Sequence, residues 1–151
     1  MATVYSDQLV RQRAGRNLQP YEWLGKQRTV VWDFASLAAG NIGDVLVLGR
    51  MLKDDRIVGG WEMHSAGGAG TYNLGTYLIG ADNITLGAAD SAARFISGGS
   101  NAVSSAPTVF PIVLAGANFV ATQDVFLCIT NVGTAFTTSS RWTGGITLVR
   151  D

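Results

Sequence analysis

Few side chains in this sequence could do chemistry, and the first is His64, its sole histidine. A histidine base acting on a serine nucleophile would have to use Ser65, the next residue. Successive side chains along a strand point to opposite faces, so Ser65 turns away from the imidazole. There is no Gly-x-Ser-x-Gly elbow and no second histidine with which to build a zinc site. His64 therefore reads as a strand-end or interface histidine. Gly67-Gly68-Ala69-Gly70-Thr71 looks like a phosphate loop, but it lacks the lysine such a loop needs and leads into a strand.

The acidic residues are equally sparse. Asp54-Asp55 reads as a turn, and Asp82, Asn83 and Asp90 could hold calcium only if the fold brought them together. Glu22 and Glu62 are the only glutamates, a thin supply for a glycosidase carboxylate pair. Cys128, the single cysteine, lies in the apolar run Val125-Phe126-Leu127-Cys128-Ile129 and reads as a small buried hydrophobe. The expectation is a protein that is not an enzyme, with no catalytic residue, no cofactor and no metal.

What must position these residues is a single body of 151 residues. It is 47% hydrophobic and 15% charged, enough apolar material for a core. Nineteen glycines and three prolines imply many turns. No apolar stretch approaches the roughly 20 residues of a membrane helix, and the start lacks a signal-type apolar segment. With one cysteine, this places synthesis and assembly in a reducing cytoplasm. Lys26 and Lys53 are the only lysines, few for a surface that relies on charge for solubility. The charge is also unevenly placed. Residues 1–28 carry five basic side chains against two acidic ones, net +3, and residues 29–151 carry net −3. Such an arm contacts something negative, and an acidic protein neighbour is a simpler partner than nucleic acid.

Residues 1–28 read as an extended N-terminal arm with at most one helical turn, capped by Ser6 and ending at Arg13. From Thr29 on, β-branched and aromatic runs predict strands over 29–34, 44–51, 56–64, 71–80, 83–86, 108–115, 124–132 and 145–150. Gly59-Gly60 marks a bulge or a close backbone approach. Ala88–Ile96 is the one segment that reads as helix, ending at Gly98-Gly99. Trp32 and Trp61 are expected in the core, Trp23 and Trp142 at an interface. About eight short strands without βαβ spacing predict an all-β, antiparallel β-sandwich that is jelly-roll-like, with the arm at 1–28 and the sandwich domain at 29–151.

The order of features resembles a known family. The chain opens Met1-Ala2-Thr3-Val4-Tyr5-Ser6, continues with Gly43-Asp44-Val45-Leu46-Val47-Leu48-Gly49-Arg50 and Arg56-Ile57-Val58-Gly59-Gly60, and passes Leu78-Ile79-Gly80-Ala81-Asp82. It closes with Gly144-Gly145-Ile146-Thr147-Leu148-Val149-Arg150. This pattern resembles the small head-decoration, or cement, proteins of tailed bacteriophages. The resemblance implies a sandwich that binds the exterior of an assembled capsid as a homodimer or homotrimer, clamps neighbouring major capsid subunits and resists the pressure of packaged DNA. The chain departs from the family in the long Ala88–Ile96 segment and the Val149-Arg150-Asp151 end. The alternatives are a tail or fibre component and a carbohydrate-binding module. On the capsid reading, Tyr5, Arg11, Arg13, Arg16, Tyr21, Trp23, Arg28 and Trp142 are the candidate partner contacts. The partners are then the major capsid protein and further copies of the chain, with no membrane and no direct nucleic-acid binding.

Overall fold

The computed structural model describes residues 3–5, 27–35, 41–65, 70–100, 104–110, 112–134 and 141–150. The described strands are β1 (Thr3–Tyr5), β2 (Gln27–Ala35), β3 (Val45–Met51), β4 (Asp55–His64), β5 (Thr71–Ile79), β6 (Leu86–Ser100), β7 (Ser104–Val109), β8 (Val125–Asn131) and β9 (Arg141–Arg150). One helical turn, α1 (Leu114–Ala117), lies between β7 and β8. The strands form two sheets, ordered β1-β3-β8-β5-β6 and β2-β9-β4-β7. Every described pair is antiparallel except β1, which runs parallel to β3. From β2 onward the chain switches sheets at each connection except the β5-β6 hairpin, which is the interleaved order of an eight-stranded jelly roll. The expected antiparallel β-sandwich is the fold found.

The main core lies between the sheets. Val30, Trp32 and Phe34 of β2, Leu46 and Leu48 of β3, Leu127 and Ile129 of β8, and Ile146 and Leu148 of β9 meet there. A second cluster, Val45, Val47, Tyr77, Phe126 and Cys128, lies on the opposite face of the β3-β8-β5 strands, with Ile79, Leu86 and Ala92 packed against it. All seven residues of β8 are buried because its alternate side chains feed the two clusters. Cys128 is the small buried hydrophobe expected, and burial pushes its thiol well above the ordinary range.

The segment expected to be helical is the middle of β6. Its alanines favour helix locally, but pairing with β5 and burial of Phe95 and Ile96 override that preference. Leu74 pairs with Ile96 and Thr76 with Ser91, so Gly75 alone stands opposite the four residues 92–95. This bulge lies directly on Gly75, where a Cβ would sit 2.0 Å from the Ser91 carbonyl oxygen. Arg94 holds the bulge in place, donating to Asp90 at 2.8 Å and to the Thr76 hydroxyl at 3.0 Å. Its guanidinium lies 4.0 Å over the Phe119 ring. Residues 83–85, expected in a short strand, form the turn ahead of β6. The strand expected at 108–115 ends at Val109 and gives way to α1.

The Gly59-Gly60 expectation of a bulge is met at the neighbouring residue. Ile57 pairs with Leu148 and Gly59 with Thr147, leaving Val58 as an extra residue in β4. The extra residue inverts the alternation: Asp55 and Ile57 point inward before it, Glu62 and His64 after it. Trp61, expected in the core, is therefore exposed, and Trp142, expected at the surface, is 1% exposed. The glycine pair in β9 serves the two exchanged faces. Gly144 lies under Trp32 inside, where a Cβ would come within 2.1 Å of the indole, and Gly145 lies under Trp61 outside.

Gly144→Ala should lower unfolding stability by about 1–3 kcal/mol, because the methyl would overlap the Trp32 indole, which is itself buried in the core; urea denaturation measures it. Cys128 should resist alkylation in the folded protein and react only on unfolding, as a thiol-reactive dye would report.

Candidate docking surface

The two outer faces of the sandwich differ. Behind the β3-β8-β5 strands the second apolar cluster is buried, whereas the outer face of the β2-β9-β4-β7 sheet carries exposed apolar side chains. The sheet register fixes their arrangement. Val31 pairs with Gly145, Gly145 with Trp61 and Trp61 with Val109, so one row crosses all four strands. In that row Val31 is 52% exposed, Trp61 38% and Val109 81%. Gly145 forms the floor, where a Cβ would come within 2.9 Å of the Trp61 indole nitrogen, and the Thr29 methyl lies beside that position. The flanking rows are Thr29, Thr147 and Gly59 on one side and Asp33, Thr143 and Met63 on the other. Asp33 brings the charge in these rows, and Arg141 takes it up through two hydrogen bonds of 2.8 and 2.5 Å. That contact holds the Asp33 carboxyl below its ordinary range. The result is a low-charge strip with three apolar side chains exposed along one row.

Under this strip lies a buried polar cluster that sequence reasoning did not find. Glu62 accepts from the Tyr72 hydroxyl through Oε1 at 2.5 Å. Its Oε2 accepts from Trp142 Nε1 at 3.0 Å and from His64 Nε2 at 3.0 Å. The three rings pack on one another, with the His64 and Trp142 centroids 4.7 Å apart and those of Tyr72 and Trp142 4.9 Å apart. Burial, followed by the Glu62 carboxylate, pushes the Tyr72 phenol far above its ordinary range, so it remains a donor. Ser65 takes no part: its hydroxyl accepts from the Arg141 backbone N–H at 2.9 Å. The cluster joins β4, β5 and β9 across both sheets, with each Glu62 oxygen engaged.

The sequence-derived candidates separate. Arg28 is not a surface contact: it forms an ion pair with Asp55, which is 2% exposed, and donates to the Arg50 carbonyl at 2.7 Å. Arg150 Nε joins the same carboxylate at 3.2 Å. Trp142, expected at an interface, belongs to the buried cluster. Tyr5 lies in β1, in register with Val47. Arg11, Arg13, Arg16, Tyr21 and Trp23 lie outside the described residues, as do Ser6 and Gly67-Gly68-Ala69. Asp82 accepts from the N–H groups of Ile84 and Thr85, and Asp90 binds Thr76 and Arg94. These two carboxylates have separate hydrogen-bond partners. Among the described residues no group of three or more His, Cys, Asp or Glu side chains could hold a metal.

Two solved structures share the fold. A chain from the capsid of Ralstonia phage GP4 superposes with a TM-score of 0.71 at 13% identity, over 99% of this chain and 99% of that one. A chain from the capsid asymmetric unit of cyanophage Pam1 superposes with a TM-score of 0.60 at 14% identity, over 90% of this chain and 94% of that one. At such identities the likeness is one of fold. No family model and no curated sequence matches the chain.

Glu62→Ala should strand three buried donors and destabilise the protein by about 3 kcal/mol or more. Thermal unfolding beside Glu62→Gln, which keeps one acceptor oxygen, should show the smaller loss for glutamine.

Proposed function

We propose that this chain is a structural protein of a phage virion that decorates the exterior of an assembled capsid and clamps neighbouring major capsid subunits, with no catalytic role. The observation that carries the reading is the end-to-end likeness of its jelly roll to chains from two phage capsids. The low-charge strip across Val31, Trp61 and Val109 supports it independently, since a surface of this kind gains by being covered. A protein that binds only the assembled lattice stabilises that state by mass action. Repetition over many equivalent sites multiplies modest contacts by avidity. In this reading the strip faces capsid, and the basic arm, through Tyr5, Arg11, Arg13, Arg16, Tyr21 and Trp23, reaches an acidic neighbour. The protein then works on the virion after assembly in the host cytoplasm.

One observation favours a second reading. The Trp61 indole lies over the glycine floor of Gly145, which is also how a sugar-stacking platform is built in a carbohydrate-binding module.

Capsids prepared with and without the chain, imaged by electron microscopy and challenged by heat or osmotic shock, test the decoration role. Trp61→Lys should abolish decoration with only a modest loss of thermal stability, because the indole is 38% exposed and lies against Gly145 outside the core. Replacing Arg11, Arg13 and Arg16 by glutamate, which leaves β1 and β2 in place, should also abolish it while the sandwich stays folded. Decoration that survives both changes overturns the reading. Saturable binding of a sugar lost in Trp61→Lys, without capsid binding, favours the carbohydrate module instead.

A further inference from the structure

A sheet edge presents unpaired N–H and C=O groups, and proteins commonly blunt such edges with short strands, bulges, proline or lysine. Three of the four edges here are blunted. β1 has three residues, β6 carries four register shifts along its pairing with β5, and β7 contains Pro107 and a register shift. β2 is the exception. It pairs with β9 over nine consecutive positions, Gln27 to Ala35, without a shift. It contains neither proline nor lysine, and its two charged side chains, Arg28 and Asp33, are paired within the chain with Asp55 and Arg141. Among the described residues no backbone group pairs with its outer edge.

From this edge we infer that the chain forms a two-fold dimer in which β2 pairs antiparallel with β2 of a second copy. The strand is self-complementary about its centre. Val31 is the middle residue of β2 and lies on the open outer face. A two-fold axis there sets Val31 against its own counterpart, Thr29 against Asp33, and Gln27 against Ala35 of the second copy. No charge then faces a like charge, and an apolar pair occupies the axis. The two sheets become one of eight strands. The strip continues through the axis as Val109, Trp61, Gly145 and Val31, then the same residues in reverse. This names the homotypic partner within the capsid reading, but it is tested on the purified full-length chain without capsids, so either can fail alone.

Sedimentation or light scattering should give the wild-type chain twice the mass of one copy. Val31→Lys and Val31→Glu each put like charges together on the axis and should run as monomers with unchanged circular dichroism. Mixing the two should restore the double mass. Val31→Cys should cross-link to a disulfide dimer under mild oxidant, since opposed residues of an antiparallel pair lie within disulfide reach. Val109→Cys, more exposed but far from the axis, should not, and Cys128 is buried. A monomeric or trimeric wild-type chain, or Val31→Cys cross-linking no faster than Val109→Cys, overturns the inference.

Discussion

One extra residue in β4 governs both the interior and the exterior of this sandwich. Side chains on a strand alternate, so inserting Val58 between the positions that pair with Leu148 and Thr147 exchanges the two faces for the rest of the strand. Beyond the bulge, Glu62 and His64 enter the core and Trp61 leaves it. The carboxylate needs donors once it is inside, and Tyr72, Trp142 and His64 converge on it from β5, β9 and β4. Without those donors a buried charge would oppose folding by several kcal/mol. With them it ties two sheets together in one register.

Glycines make the exchange sterically possible. Adjacent residues of β9 face opposite sides, and at 144 and 145 each side carries a tryptophan from a neighbouring strand. Gly144 admits Trp32 into the core, and Gly145 lets Trp61 lie down on the outer surface. The two indoles therefore pack against opposite faces of one strand. The same sheet carries the uninterrupted β2 edge, so the face and the edge most open to contact belong to one sheet. The other sheet has its outer apolar cluster buried and its far edge folded into the β6 bulge, where Arg94 braces Asp90, Thr76 and Phe119.

The ion-pair cluster at the start of β4 adds a second tie. Asp55 receives Arg28 from β2 and Arg150 from β9, and Arg28 also reaches the Arg50 carbonyl on β3 in the opposing sheet. The last basic residue of the N-terminal segment is thereby part of the sandwich rather than of an arm. Polar groups close the sandwich in two places along β4, at Asp55 and at Glu62, with apolar packing between them.

The sequence by itself determined the class and the strands β2, β3, β4, β5, β8 and β9, but not β1, β6 or β7. Runs such as Val30-Val31-Trp32, Val45–Leu48 and Val125–Ile129 are β-branched or apolar over strand length, and their glycine-rich separations leave little but an antiparallel sandwich. Burial of Cys128 followed from its apolar neighbours. Tertiary structure decided what depends on phase and partner. Gly59-Gly60 announced a bulge, but one inserted residue decides which tryptophan is inside, and only pairing with β9 locates that residue. Ala88–Ile96 has the local preference of a helix, yet β5 offered a partner strand and the core took Phe95 and Ile96. Glu62, Tyr72 and Trp142 are far apart in the chain and carry no spacing signal; they meet only because the jelly-roll order brings β4, β5 and β9 together. Local chemistry sets what each segment can be, and long-range register sets which way each side chain faces, so the contact surface became visible only when the sheets were in place.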